Sequence, residues 1–190
     1  IIVFPELALT GYPPEDLLLK PSFIKEDVKY IEKLRELSEK ITIICGVVGK
    51  NNEIFNSAAV LSGQKTITFY DKQYLPNYSV FDEERYFQKG TKNKILRIDS
   101  HLIGLSICED IYYDESPAKI QSILGGAELI INIAASPYHI GKPMEREKML
   151  YTRATDLRAF ILYVNLIGGQ DELVFDGNTM LIDAEGNVLA

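Results

Sequence analysis

Hydrophobic positions form two different patterns along this chain, a helical spacing and short continuous runs. Between residues 24 and 40, apolar side chains recur every three or four positions with charged residues between them, and this spacing predicts an amphipathic helix. Further helices are predicted over 116–124 and 143–159, with a short one that starts after Pro14 and stops at Pro21. Apolar runs of strand length occupy the rest of the chain, at residues 1–5, 41–48, 54–61, 65–70, 94–99, 102–107, 129–134, 161–167 and 174–182.

These elements together predict an α/β protein with mixed sheets. The strands on either side of the Ser-Gly-Gln link at 62–64 form a predicted hairpin, whereas continuous apolar strands separated by helices are typical of parallel pairing. The segment 72–93 is longer than an ordinary connection, and such loops often carry functional residues. With 190 residues, 46% of them hydrophobic, the range 1–190 is expected to form one domain with a substantial core.

Composition and charge exclude several classes of function. A formal net charge of −7 argues against nucleic-acid binding, which needs a clustered basic face. No apolar run approaches the ~20 residues that cross a bilayer and no signal peptide is visible, so no membrane partner is expected. Cys45 and Cys108 do not make a disulfide framework, which fits a reducing compartment and predicts a cytoplasmic location. Two histidines without close Cys/His spacing predict no metal site.

The two ends of the chain suggest a fragment. The sequence starts without Met inside a predicted strand, and it stops shortly after a hairpin-like turn at residues 184–187. We therefore expect a piece of a longer polypeptide, truncated at both ends.

Three reactive side chains stand where predicted strands give way to loops. Cys108 closes one strand, Glu6 follows another and Lys72 a third. A thiolate can attack the carbonyl carbon of an amide, provided that a base or a positive charge stands close to the thiol. A partly desolvated carboxylate can take the thiol proton and return it to the leaving amine. A fixed ammonium can stabilise the negative charge of the tetrahedral intermediate.

Each of these residues also has an ordinary structural interpretation. A lone cysteine at a strand end is usually a small core residue. Glu6 could cap a helix or form a surface ion pair, and Lys72 could be one of the many solvated lysines. The functional interpretation therefore depends on the three sequence contexts taken together.

Taken together, the three contexts resemble the motifs of the carbon–nitrogen hydrolase, or nitrilase, superfamily. Residues 4–7 (FPEL) with 10–12 (TGY) resemble its glutamate motif, residues 70–75 (YDKQYL) its lysine motif and residues 107–110 (ICED) its cysteine motif. The resemblance covers the whole chain and keeps the family's order. It implies a four-layer α-β-β-α sandwich of two mixed sheets flanked by helices. It also implies that Cys108 is the nucleophile, Glu6 the base and Lys72 the oxyanion stabiliser.

A narrower resemblance concerns the glutaminase domain of glutamine-dependent NAD synthetases. Residues 11–18 (GYPPEDLL) and 75–87 (LPNYSVFDEERYF) are similar to that branch, as are 134–138 (AASPY) and 175–177 (FDG). This resemblance implies hydrolysis of glutamine to glutamate and ammonia through a cysteine thioester, with no cofactor. A separate C-terminal synthetase domain of the same chain would use ATP and Mg²⁺ to amidate nicotinic acid adenine dinucleotide to NAD. A homo-oligomer is expected by analogy.

The same resemblance assigns residues to a glutamine pocket. It implies that the pocket is lined or contacted by Tyr12, Phe81, Glu83, Glu109 and Ser136, and that the backbone N–H of Glu109 is a second oxyanion donor. Lys142 stands where some relatives have arginine, and its ammonium offers a point charge for a substrate carboxylate. Outside this resemblance, Tyr12 and Phe81 would be packing residues, Glu83 part of a solvated acidic loop and Ser136 an ordinary turn residue.

Two other functions compete with glutamine hydrolysis. A stand-alone amidase or carbamoylase would keep the chemistry and act on another small amide. A non-enzymatic oligomerisation or binding module of the same fold would leave Cys108 inert. We prefer the glutaminase hypothesis because of the three motifs together with the loop at residues 76–82 (PNYSVFD). The non-enzymatic module is the least favoured, because all three catalytic positions hold competent residues.

Overall fold

The computed structural model describes all residues, 1–190, and the chain divides into two structural units, residues 1–91 and 92–190. Each unit contains one main sheet and its own helices. None of the helices combines the length and apolar character needed to cross a membrane.

The sheet of the first unit has four strands in the order β1-β2-β3-β4. Its strands are β1 (Ile2–Val3), β2 (Ile43–Asn51), β3 (Glu53–Ser62) and β4 (Lys65–Asp71). β1 is parallel to β2 and the other pairs are antiparallel, so the sheet is mixed. The β3–β4 hairpin closes through Gly63 and Gln64, which both have positive φ. That conformation matches the twist of the strands, and the predicted hairpin is present.

One long helix packs on this sheet. A 3₁₀ helix spans Glu15–Leu19, helix α1 spans Pro21–Leu37, and a second 3₁₀ turn spans Glu83–Arg85. Pro21 was expected to end the first helix, and it also begins the next one, because proline suits the first position of a helix. The core cluster under α1 consists of buried side chains from the helix, β2 and β3: Ile31, Ile43, Cys45, Val47, Ala59 and Leu61.

The main sheet of the second unit has five strands in the order β11-β8-β7-β6-β5. Its strands are β5 (Ile95–Ile98), β6 (His101–Ile107), β7 (Leu129–Ala134), β8 (Phe160–Asn165) and β11 (Met180–Ile182). The three central strands are parallel and both edge strands are antiparallel. A separate two-stranded ribbon pairs β9 (Ile167–Gln170) with β10 (Leu173–Asp176). The prediction of an α/β fold with mixed sheets is confirmed.

The helices of the second unit connect its parallel strands. A 3₁₀ helix spans Cys108–Ile111, helix α2 spans Pro117–Lys119 and continues as one π turn over Ile120–Leu124, and helix α3 spans Lys142–Leu157. The Ser116 hydroxyl caps α2 by accepting a hydrogen bond from the Lys119 N–H at 3.3 Å.

Two strand predictions need correction. The run 174–182 is not one strand, because Gly177 and Asn178 both take left-handed backbone conformations and separate β10 from β11. Residues 1–5 were predicted to be a buried strand, yet Ile2 is 44% exposed and Phe4 38% exposed. The reason is that β1 is an edge strand, so an apolar sequence alone did not decide its burial.

Candidate active site

Glu6 is fixed where the chain leaves β1. The Gly46 N–H of β2 donates to the Pro5 carbonyl at 3.1 Å, and a Cβ at Gly46 would overlap the backbone of residues 5–7. Glycine is therefore needed at this close approach of two backbones. Leu7 then turns the chain with φ 46°. The result is that the Glu6 side chain is fully buried.

Lys72 is fixed where the chain leaves β4. Its N–H donates to the Asn56 carbonyl at 2.9 Å, and its carbonyl accepts from the Gly90 N–H at 2.7 Å. The side chain is fully buried, which is rare for lysine unless it is paired. Its ammonium donates to Glu6 Oε1 at 2.7 Å and to Glu83 Oε1 at 2.7 Å. Two carboxylates thus share one buried cation.

Asn56 and Tyr12 complete this buried network. The Asn56 Nδ2 donates to Glu6 Oε1 at 2.7 Å and to Glu83 Oε2 at 3.3 Å. The Tyr12 hydroxyl donates to Glu83 Oε1 at 2.7 Å. Every donor points at a carboxylate, so the orientation of both acids is set by the fold. Removing one partner from such a buried network typically costs about 3–5 kcal/mol.

The network perturbs the acidity of Glu83. Burial raises the pKa of Glu83 to about 6; the Lys72 ammonium opposes this, the Glu6 carboxylate adds to it, and the Tyr12 hydrogen bond lowers the pKa slightly. A carboxyl group that titrates near neutral pH can change its protonation state during a reaction. Glu83 was expected to contact substrate, and the structure additionally makes it a partner of Lys72.

A cleft of about 190 Å³ opens beside this network in the first unit, and Tyr12, Phe81 and Glu83 all line it. The Phe81 ring packs against the ring of Tyr12, with centroids 6.3 Å apart, and edge-on against Tyr78 at 5.4 Å. Three of the residues predicted from sequence to contact substrate are therefore neighbours at one concave surface.

Cys108 occupies a strained turn in the second unit. It follows β6, begins the 3₁₀ helix and has φ 40°, an unusual value for a residue with a side chain. The turn is held because Asp110 Oδ2 accepts the Ile107 N–H at 3.1 Å and Asn132 Nδ2 donates to the Cys108 carbonyl at 3.5 Å. Strain of this kind persists where the surroundings enforce it, and it is common at functional sites.

Glu109 follows directly in the same turn. Its side chain is 8% exposed, and its Oε1 accepts a hydrogen bond from the Tyr113 hydroxyl at 3.1 Å.

Ser136 lies in a second buried polar network of this unit. Asn165 accepts the Ser136 N–H at 2.8 Å and donates to the Ser136 carbonyl at 3.3 Å. Arg146 is fully buried, forms a two-pronged pair with Asp176 at 3.0 Å for each contact, and reaches the carbonyl and hydroxyl of Ser136 at 3.4 Å. The loop that carries Ser136 is therefore rigidly placed.

Lys142 takes a different environment from Arg146. Its ammonium lies 5.5 Å from the centre of the Tyr112 ring, a cation–π arrangement. The pKa of Tyr112 is raised to about 12, mainly by burial, so its hydroxyl stays protonated. The buried cation that contacts Ser136 is thus Arg146 rather than Lys142.

Sequence reasoning missed several residues of these networks, among them Asn56 and Arg146. Asn56 is a polar residue inside a buried strand, and Arg146 is a cation on the buried face of an amphipathic helix. A polar side chain at an apolar position is the signal that would have revealed both. Glu6 and Lys72, predicted as partners, are in contact in the first unit, and the role of Cys108 beside them stays a prediction.

Sequence comparison places these observations in a family. The carbon–nitrogen hydrolase family model matches residues 1–190. The glutamine-dependent NAD(+) synthetase of Aquifex aeolicus is 45% identical over 192 residues, covering 100% of this chain and 34% of that protein. The Thermotoga maritima protein of the same name is 43% identical over 191 residues, covering 100% and 33%. The chain spans about a third of the length of the curated relatives it matches.

Structural comparison agrees. A glutamine-dependent NAD+ synthetase from Acinetobacter baumannii, solved with ADP, superposes with a TM-score of 0.95 at 39% identity, covering 100% of this chain and 36% of that one. The NitN amidase of Nesterenkonia sp. AN1 shares the fold at a TM-score of 0.87 and 21% identity, covering 98% and 72%. With a family model that matches its full length, this chain belongs to the carbon–nitrogen hydrolase family.

Proposed function

We propose that this chain hydrolyses glutamine to glutamate and ammonia, as the glutaminase part of a glutamine-dependent NAD synthetase. The observation that carries the proposal is the buried Lys72, held at 2.7 Å by both Glu6 and Glu83 beside the cleft lined by Tyr12 and Phe81. Relatives that match the full chain and carry the name glutamine-dependent NAD(+) synthetase support the choice of glutamine.

The mechanism assigns one step to each catalytic residue. Glu6 takes the thiol proton of Cys108, and the thiolate attacks the side-chain amide carbon of glutamine. Lys72 and the Glu109 N–H stabilise the oxyanion of the tetrahedral intermediate. Glu6 then returns the proton to the departing nitrogen, which leaves as ammonia and yields a glutamyl thioester. Water activated by Glu6 releases glutamate and restores the thiol.

The substrate contacts follow from the chemistry of glutamine. Its ammonium suits the acidic lining of the cleft in the first unit, which includes Glu83. Its carboxylate suits hydroxyl and cationic donors, which Ser136 and Lys142 provide in our proposal. This half-reaction needs no cofactor. The ammonia would serve an ATP- and Mg²⁺-dependent amidation of nicotinic acid adenine dinucleotide by a synthetase domain of the same longer chain. Assembly into homo-oligomers and a cytoplasmic location remain predictions.

Ammonia and glutamate release by the natural full-length polypeptide tests the proposal. The key variant is Cys108→Ala, with Cys45→Ala as the matched control, because Cys45 is a buried core thiol. We expect Cys108→Ala to lose glutamine hydrolysis and Cys45→Ala to keep it. Unchanged hydrolysis in Cys108→Ala would refute the mechanism. Faster hydrolysis of another small amide than of glutamine by the wild type would refute the substrate and favour the amidase alternative.

A further inference from the structure

Arg153 makes an unusual set of contacts with the segment that follows Cys108. Its Nε donates to the Ile111 carbonyl at 3.0 Å and its Nη2 donates to the Tyr112 carbonyl at 2.7 Å. We propose that Arg153, on helix α3, is a positioning residue that holds the nucleophile turn, Cys108–Ile111, in its reactive geometry. This inference rests on the proposed role of Cys108.

The nucleophile turn needs such a clamp because it is short and strained. The 3₁₀ helix of Cys108–Ile111 starts at a φ of 40° and contains four residues. The last carbonyls of a helix lack partners within the helix, and those of Ile111 and Tyr112 stand at this end. A guanidinium can bind two neighbouring carbonyls at once. Asp110 and Asn132 hold the start of the turn, and Arg153 holds its end.

The placement of Arg153 favours this positioning role over simple charge pairing. Its Nη1 contacts Asp114 at 2.6 Å and Asp156 at 3.3 Å, yet these two aspartate side chains are 85% and 57% exposed. Exposed ion pairs contribute little, whereas the Arg153 side chain is only 13% exposed and its two carbonyl contacts have good geometry.

A shift of this turn would act directly on the chemistry. The Cys108 sulfur and the Glu109 N–H, proposed as an oxyanion donor, belong to the same four residues. Misplacement of reacting groups by about 1 Å can cost about 100-fold in rate. Loss of Arg153 should therefore lower kcat, while KM should change little, because all proposed pocket residues except Glu109 lie outside this turn.

The experiment uses Arg153→Ala in the natural full-length polypeptide, with kcat and KM for glutamine measured per folded molecule, as determined by circular dichroism. We expect kcat to fall about 10- to 100-fold with KM within about twofold. Arg153 lines a cleft of about 310 Å³, so added guanidinium can reach the vacated space. Millimolar guanidinium, far below denaturing concentrations, should restore much of the lost rate. Methylammonium should not, because it lacks the planar fork.

Matched controls separate positioning from charge pairing. Asp114→Asn and Asp156→Asn remove the ion pairs and keep the carbonyl contacts, so kcat should stay within about threefold of wild type. The proposal is overturned if Arg153→Ala keeps kcat within about twofold, if both cations rescue equally, or if the aspartate variants lose as much rate. Should Arg153→Ala not fold, Arg153→Gln, which keeps one planar amide donor, is judged by the same kcat criterion.

A second readout separates this proposal from the proposed function. If the wild type does not hydrolyse glutamine, the substrate assignment fails. Arg153 is then tested through the rate constant for alkylation of Cys108 by iodoacetamide, which needs no substrate. We expect a change of more than about threefold in Arg153→Ala and none in Asp156→Asn. An unchanged rate constant would overturn the positioning role by itself.

Discussion

Asp27 offers the sharpest test of how burial controls ionisation in this protein. It lies on the inner face of helix α1, is 4% exposed, and accepts the Val48 N–H at 3.1 Å through one oxygen, while its other oxygen has no hydrogen-bond partner. Burial raises its pKa from 3.8 to about 6, against the smaller opposing effect of the Val48 hydrogen bond. The neighbouring Cys45 thiol stays neutral, since burial raises its pKa to about 12.

The magnitude and sign follow from linkage. A carboxyl with a raised folded-state pKa is stabilised in its protonated form, so between pH 3.8 and about 6 the folded state holds one more proton than the unfolded state. Stability from this group is therefore present at low pH and is lost as the pH rises through that window. At about 1.4 kcal/mol per pH unit, the loss is about 3 kcal/mol.

Asp27→Asn removes the titration and keeps an oxygen that can accept from Val48. We expect the free energy of unfolding of the variant, minus that of wild type, to rise by about 2.4 kcal/mol between pH 4 and pH 7, since part of the change already occurs below pH 4. Urea unfolding followed by circular dichroism at several pH values measures this difference. Glu26→Gln is the matched control, because Glu26 is the preceding residue of the same helix and its side chain is 58% exposed. The reasoning is refuted if this difference in the free energy of unfolding does not change with pH for Asp27→Asn. It is also refuted if the difference changes with pH as steeply for Glu26→Gln.

Three further predictions concern the buried network and the backbone that carries Glu6. Glu83→Gln should lower kcat about 100-fold and remove an acid limb near pH 6 from the activity profile, whereas exposed Glu84→Gln should change neither. Tyr12→Phe should move that limb to higher pH in the same assay. The Tyr12 hydrogen bond lowers the pKa of Glu83 in the wild type, so its removal raises that pKa; a shift to lower pH would contradict this. Gly46→Ala should destabilise the fold by about 1–3 kcal/mol or more in urea unfolding, since its Cβ meets backbone, while Gly169→Ala, with its nearest atom at 3.5 Å, should be neutral.

The sequence pattern predicted secondary structure correctly where interactions between neighbouring residues determine it. The helical spacing between residues 24 and 40 predicted α1, the apolar run 129–134 is strand β7, and the link at 62–64 closes a hairpin. Helix and strand periods are short-range properties, so a single sequence shows them. The break of 174–182 at Gly177 was missed, although Asp176, Gly177 and Asn178 inside that run are a turn signal.

The candidate site divides in the same way. The sequence by itself determined which residues have the chemistry: a thiol, a carboxylate and an ammonium, each at the end of a strand. Only the tertiary structure decided which groups they contact. Glu6 and Lys72 are 66 positions apart in the chain and 2.7 Å apart in the fold. Asn56 and Glu83 form hydrogen bonds with this pair, because buried polar groups need partners within the protein in place of water. The sequence states which polar groups the chain contains. Their hydrogen bonds and the pKa of a buried group such as Glu83 depend on the exclusion of water, and water is excluded only when distant segments pack together.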